Sequence, residues 1–257
     1  MVEQVHNEEW IVGKNPVIEA LKANRPINKI LIAEGTQKGQ VQKVKELAKQ
    51  KKIVVQHVPK QKIDGLIGPV HGAMQHQGVV ASVAPYSYAS LDDLFQAAEE
   101  KKEQPFFLIL DEIEDPHNLG SIMRTADAVG AHGIIIPNRR SAQLTAVVAK
   151  TSAGAIEYVP VCRVTNLAQT IEELKQRGVW IVGTDASAKD DFRSLDGDMP
   201  LAIVIGSEGK GISRLVLKHC DFVYSLPMKG QVTSLNASVA GSLLMYEVFR
   251  KRAVTGE

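Results

Sequence analysis

Three separated stretches of this 257-residue chain combine glycine, short polar residues and single charges at close spacing. The first is Asn118-x-Gly120-x-x-x-Arg124. The second is Gly206-Ser207-Glu208-Gly209-Lys210-Gly211, which follows the apolar run Leu201-Ala202-Ile203-Val204-Ile205. The third joins Leu226-Pro227-Met228 to Ser234-Leu235-Asn236-Ala237-Ser238-Val239-Ala240 and leads into a long amphipathic tail. A buried strand feeding a glycine-dense turn, then a second apolar segment feeding a polar turn and a helix of small residues, can form a small-molecule pocket out of backbone. Amides and carbonyls reach a ligand only where side chains are absent and the chain bends. We read the stretch from Gly206 to Phe249 as a cofactor site. Each piece also has a plainer reading. The glycine turn serves equally well as strand-to-helix punctuation, and Asn118, Ser234 and Asn236 are residue types that cap helices. Arg124 could be a solvated helix charge, although Ile122, Met123, Ala126 and Ala128 leave little polar surface around it.

Familiar nucleotide and hydrolase signatures fail. The order of Gly206, Gly209 and Gly211 reverses that of the dinucleotide fingerprint, and Ile212 stands where a phosphate-binding loop needs lysine. H-E-x-x-H, G-x-S-x-G and paired C-x-x-C are absent, so metal and serine hydrolysis lose support, and His71 and His76 read as loop histidines. No metal is expected.

The elements that must position these stretches alternate strand and helix. Phe106 to Leu110, Gly133 to Pro137, Val179 to Gly183, Leu201 to Ile205 and Phe222 to Leu226 are short and almost wholly apolar, as strands covered on both faces are. Helices fit between them at Leu119 to Val129, Ala142 to Lys150, Leu167 to Arg177 and Ile212 to His219. This predicts a layered α/β domain over residues 105–257 with ligands at the carboxyl ends of its strands. Residues 1–84 predict a smaller α/β domain. Asn15-Pro16 would cap its first helix, and strands follow at Lys29 to Ala33, Ile53 to Val55 and Gly78 to Val83. A helix over Gln40 to Lys51 turns Val41, Val44, Leu47 and Ala48 inward and its lysines outward. The segment 85–104 reads as a linker with a short helix. Ser90 and Asp93 resemble a capping box, and the helix is expected to fray into Glu99-Glu100-Lys101-Lys102-Glu103.

Hydrophobic residues at 44% and charged residues at 23% suit a folded globular chain. No apolar run reaches membrane-spanning length, and Met1 to Trp10 is polar, so we expect neither a span nor a secretory signal. Cys162 and Cys220 lack metal-type spacing and fit reduced thiols in a cytoplasm. Charge is uneven. Residues 1–85 hold 12 Lys and Arg against 7 Asp and Glu, and the remainder holds 18 against 22. The lysines between Lys43 and Lys62 could meet phosphates or could be plain solvated surface.

Taken together, the three stretches resemble in order and character the SpoU family of RNA ribose 2′-O-methyltransferases, within the SPOUT superfamily. The resemblance covers residues 106–250 strongly. Val12-Gly13-Lys14-Asn15-Pro16-Val17 with Glu19-Ala20-Leu21, and Gly72-Ala73 with His76-Gln77-Gly78, look like the small L30e-like RNA-binding domain of the bacterial 23S rRNA guanosine 2′-O-methyltransferases. General rules would give an unknotted doubly wound sheet. The resemblance implies instead a mostly parallel sheet with a deep trefoil knot, and S-adenosyl-L-methionine held in knot loops. By resemblance Gly206, Leu226 and Leu235 contact the donor, while Asn118, Arg124, Glu208, Ser234 and Asn236 form the reacting cluster. Family models often make the arginine the base. A guanidinium stays protonated in proteins, so we expect Arg124 to hold a phosphate and stabilise alkoxide charge, with Glu208 or a phosphate-assisted water as rival proton acceptor. The resemblance further implies a cytoplasmic homodimer acting on RNA, most plausibly 23S rRNA, and not on DNA or a membrane. Methylation of tRNA and a non-catalytic ribosome-assembly role are the alternatives.

Overall fold

A computed structural model describes residues 10–22, 25–71, 76–83, 86–231 and 234–255. The chain divides into two units, one of residues up to Ser87 together with Gln143–Ala146, the other of Tyr88–Ala142 and Val147 onward. In the first, the elements run β1 (Trp10–Val12), α1 (Lys14–Lys22), β2 (Ile27–Ala33), α2 (Lys38–Gln50), β3 (Val54–Val58), α3 (Lys60–His71) and β4 (Val79–Val83). Its sheet is ordered β1-β4-β2-β3, with β2 and β3 parallel and β4 antiparallel to both its neighbours. Because strand side chains alternate, β2 serves two cores. Ile30 and Ile32 pack with Val17, Leu21, Val41 and Val44 of α1 and α2, while Leu31 and Ala33 pack with Ile63 and Ile67 of α3. The predicted stripe of α2 faces inward as expected.

Three expectations for this unit change. Helix α1 begins at Lys14, so Asn15 lies inside it and does not cap it. Helix α3 was not foreseen, because Gly65, Gly68 and Pro69 argue against a helix; burial of Ile63 and Ile67, one turn apart, outweighs that propensity. His76 is not an idle loop residue. It is buried, its Nδ1 accepts the Gly78 N–H at 2.9 Å, and its Nε2 lies 2.9 Å from Asp64 Oδ1. His71, also read as a loop histidine, ends α3, and residues 72–75 of the expected loop lie outside the described residues.

The second unit contains α4 (Leu91–Lys101), β5 (Phe106–Leu110), α5 (Pro116–Ala128), β6 (Gly133–Pro137), α6 (Ala146–Thr151), β7 (Val161–Val164), α7 (Leu167–Gln176), β8 (Trp180–Thr184), β9 (Asp190–Asp191), β10 (Leu201–Ile205), α8 (Arg214–Lys218), β11 (Phe222–Ser225) and α9 (Ala237–Thr255). Seven strands form one sheet ordered β7-β6-β5-β10-β8-β11-β9, and every pairing is parallel. Strands β5, β6 and β10 are apolar because both their faces are covered, whereas β8 is buried only at its centre, with Trp180 exposed. On one face Phe107, Ile109, Ile135, Ile181 and Val204 pack with α4, α7 and α8. Helices α5 and α9 pack together, and α9 lies against β10.

The segment read as a linker is partly core. Ser90 and Asp93 form the capping box, with Ser90 N–H donating to Asp93 Oδ2 at 2.6 Å and Asp93 N–H to Ser90 Oγ at 3.2 Å. Helix α4 then buries Leu94 and Phe95 in the second unit and stops cleanly, with Lys102 in the left-handed region. Alternating acidic and basic residues hid that end, since only the inward residues report packing.

Candidate active site

The site grows from two neighbouring strand ends. Strands β5 and β10 pair in register up to Leu110 and Ile205, and the Asp111 N–H extends the ladder to the Ile205 carbonyl at 2.9 Å. Beyond this point the strands separate into two loops, which Asp111 ties together: its buried carboxylate accepts the Ser213 N–H at 2.7 Å. The loop after β10 closes on itself, with Ser207 and Gly211 exchanging backbone hydrogen bonds of 3.1 and 2.9 Å. A Cβ at Gly206 would collide with the backbone of Gly211 and Ile212, so only glycine permits this closure. Glu208 stands exposed at the tip.

Helix α5 starts earlier than predicted. Asp115 is its cap, accepting the His117 N–H at 2.9 Å, and Pro116 occupies the first turn. Asn118 is therefore a first-turn residue and not the cap. Ile122, Met123 and Ala126 are buried, whereas Arg124 is exposed and shares the open side with Asp127 and Ala128. The apolar neighbours that made a solvated arginine look awkward mostly point the other way. Among the described residues Arg124 makes no hydrogen bond or ion pair, which leaves its planar fork available to an anion.

A polar string connects the motifs. Thr125 of α5 meets Ser242 of α9 through their hydroxyls at 3.0 Å, and Ser242 Oγ donates to the Ser238 carbonyl at 2.7 Å. Ser238 donates to Asn236 Oδ1 from its N–H at 2.9 Å and from its hydroxyl at 2.6 Å. Asn236 Nδ2 then donates to Glu208 Oε2 at 3.2 Å. Asn236 is thus both the cap of α9 and the contact of Glu208, and the two readings of that residue coincide. Close packing makes the string possible: a Cβ at Gly241 would stand 2.5 Å from Ile205 Cδ1, so glycine lets α9 lie directly on the end of β10.

The remaining predicted residues border the same loops. Gly206, Leu226 and Leu235 are half-buried and Ser234 is exposed. Among the described residues, no backbone group from Leu226 to Leu235 pairs with another backbone group. Ser207 was not singled out as a separate site residue. Its Oγ is buried without a hydrogen-bond partner among the described residues, and a buried hydroxyl without a partner is costly. Sequence could not signal this, because burial of one atom in a turn leaves no periodic trace.

Comparison with known proteins agrees in both units. Residues 105–246 match the model of the SpoU rRNA Methylase family, and residues 10–89 match that described as RNA 2'-O ribose methyltransferase substrate binding. YacO of Bacillus subtilis (strain 168), assigned by name to the TrmH family of tRNA/rRNA methyltransferases, is 66% identical over 249 residues, covering 97% of this chain and 98% of its own. The SpoU methyltransferase AviRb of Streptomyces viridochromogenes, solved with the cofactor AdoMet, superposes with a TM-score of 0.60 at 26% identity, over 96% of this chain and 92% of its own. The TrmH/SpoU tRNA modifying enzyme of A. aeolicus gives a TM-score of 0.56 at 30% identity, over 64% of this chain and 85% of its own. The chain belongs to the SpoU methyltransferase family and is an S-adenosylmethionine-dependent RNA 2′-O-ribose methyltransferase.

Proposed function

We propose that the protein methylates the ribose 2′-hydroxyl of a guanosine in 23S rRNA, in the cytoplasm. One observation carries the choice of ribosomal RNA. The chain has a complete unit matching the family's substrate-binding domain over residues 10–89, whereas the A. aeolicus tRNA modifying enzyme aligns with only 64% of the chain.

The loops fit the donor. The Ser207 hydroxyl and the backbone of Leu226 to Gln231, both without a partner among the described residues, and the half-buried Leu226 and Leu235 offer hydrogen bonds beside apolar surface. Adenosine requires both. Gly206, Leu226 and Leu235 hold it, and the C-terminal segment threads an earlier loop to form the knot. When bound, S-adenosylmethionine supplies a methyl group on positively charged sulfur, already activated for in-line displacement. The protein's main task is alignment, which can contribute about 7 to 11 kcal/mol. Arg124 grips a substrate phosphate and stabilises charge growing on the 2′-oxygen. Glu208, held by Asn236, accepts the hydroxyl proton directly or through a water, and Asn118 and Ser234 orient the ribose.

We also infer a homodimer. Val239, Leu243, Tyr246 and Phe249 of α9 are 48%, 43%, 52% and 44% exposed, while Leu244, Met245 and Val248 on its other side are buried. An exposed apolar stripe opposite a buried face is normally covered, and a second copy of the chain covers this one. Mapping ribose methylation on 23S rRNA from cells with and without the protein tests the main reading. One methylated guanosine should vanish in its absence; an unchanged map contradicts the assignment.

A further inference from the structure

A cavity of about 610 Å³ opens in the first unit. Its floor includes Ile32 and Val41, both buried, and its rim includes Gln37, Gln42, Lys45 and His57. The fold explains this grouping. Ile32 and His57 are register partners on the parallel strands β2 and β3, so both side chains point to the side on which α2 packs. Val41, Gln42 and Lys45 come from the first two turns of α2. The carboxyl ends of two parallel strands and the start of a helix thus enclose one concavity.

Its chemistry is specific. The volume falls within the range of roughly 300–1,000 Å³ found for small-ligand pockets, far more than an isolated anion needs. Gln37 stands at the cap position of α2 without a capping side-chain bond, so the first-turn N–H groups remain open to phosphate. Among the described residues Lys45, His57 and Gln37 have no ionic or side-chain hydrogen-bond partner. Gln42 donates to Glu46 Oε1 at 3.1 Å, which fixes its amide and leaves its carbonyl oxygen as an acceptor. An apolar floor, an imidazole edge, two amides and one ammonium match a base, its Watson–Crick edge and its phosphate. A duplex cannot present that combination, because its bases are stacked and paired.

We propose that this cavity takes one unpaired nucleotide of the substrate RNA, with the base against Ile32, Val41 and His57, its edge read by Gln37 and Gln42, and its phosphate held by Lys45 and the start of α2. The proposal rests on the RNA methyltransferase assignment, and it uses the 23S rRNA reading only to choose a probe. The test uses the full chain carrying Gln42→Ala, His57→Ala or Lys45→Ala, with thermal melting as the check on folding. Each is assayed for methylation of unmethylated 23S rRNA transcript and for binding to a fully paired RNA duplex. Gln42→Ala and His57→Ala should each raise KM for the transcript about tenfold, at the low end of what loss of a good base contact gives, with kcat and duplex affinity unchanged. Lys45→Ala should weaken both RNAs and reduce the salt slope of binding by about one. A lowered kcat in every variant would indicate a merely structural role and overturn the proposal. So would a silent Gln42→Ala, His57→Ala double variant beside an effective Lys45→Ala, which would reduce the cavity to a phosphate contact. Photo-crosslinking of 4-thiouridine-substituted transcript gives a second readout independent of methylation. Crosslinks to peptides containing His57 or Val41 are expected, and crosslinks confined to the second unit contradict the cavity's role. Wild-type protein that crosslinks there yet methylates only tRNA would sink the 23S reading and leave the cavity standing.

Discussion

Asn236 shows how one side chain can serve folding and chemistry together. Its oxygen caps α9 through the Ser238 N–H and its nitrogen holds Glu208. Asn236→Ala should therefore cost about 0.5–2 kcal/mol of stability, the usual range for a lost cap, and also slow methyl transfer. Asn236→Asp should keep the cap and lose the donor to Glu208. Urea unfolding and single-turnover assays check the pair: recovery of stability without recovery of rate is expected in the aspartate variant, and equal recovery of both would show that the residue only caps. Asn236 was visible in the sequence because its neighbours form a spaced motif. Ser207, Asp115 and His76 carry equal structural weight and were not, since a buried oxygen, a cap three residues upstream of the expected one and an inward-turned histidine have no repeat to betray them.

At the scale of elements, apolar runs and stripes identified β2, α2, β5, β6, β8 and β10, where burial on fixed faces dictates residue type. They failed for α3, whose glycines and proline argue against a helix, and for the strand β7, whose Val161–Val164 run is too short to stand out. Contacts between elements were also hidden. His132 links the segment after α4 to the sheet: its ring is buried, Nδ1 accepts the Phe106 N–H at 3.1 Å and Nε2 lies 3.1 Å from Glu103 Oε2. Burial, reinforced by the charge of Lys101 and opposed by Glu103, pushes its pKa below the usual histidine value. Unfolding raises it back, so the unfolded chain binds the extra proton. This contribution is fully present above about pH 6.5, the ordinary histidine pKa, and is lost as the pH falls below it towards the lowered folded value. His132→Gln should destabilise the protein by about 1–3 kcal/mol at pH 7.5, the cost of an unsatisfied buried donor, and the gap should narrow at pH 5. Denaturant unfolding at the two pH values measures it, and a pH-independent gap would contradict the buried neutral ring.

For the molecule as a whole, the strand–helix pattern pointed to two α/β units and the charge count to a basic first third; the main division falls between Ser87 and Tyr88, with Gln143–Ala146 grouped with the first unit. The linker boundary was harder, because a helix with a polar outer face gives no sign of which core it joins until Leu94 and Phe95 are seen buried. The apolar outer stripe of α9 predicts assembly at this scale. Leu243→Glu with Tyr246→Glu should convert a dimer to monomer in light scattering, and a wild-type monomer at the same concentration would remove the inference. The central claim is methyl transfer to 23S rRNA with Arg124 beside the reacting ribose. It is tested most directly by incubating wild-type and Arg124→Ala protein with labelled S-adenosylmethionine and separate pools of 23S transcript and tRNA. The account predicts label on one guanosine ribose of the 23S transcript with wild type, and none with Arg124→Ala although that variant still binds the donor. Label in tRNA alone, or near-normal turnover by Arg124→Ala, would contradict it.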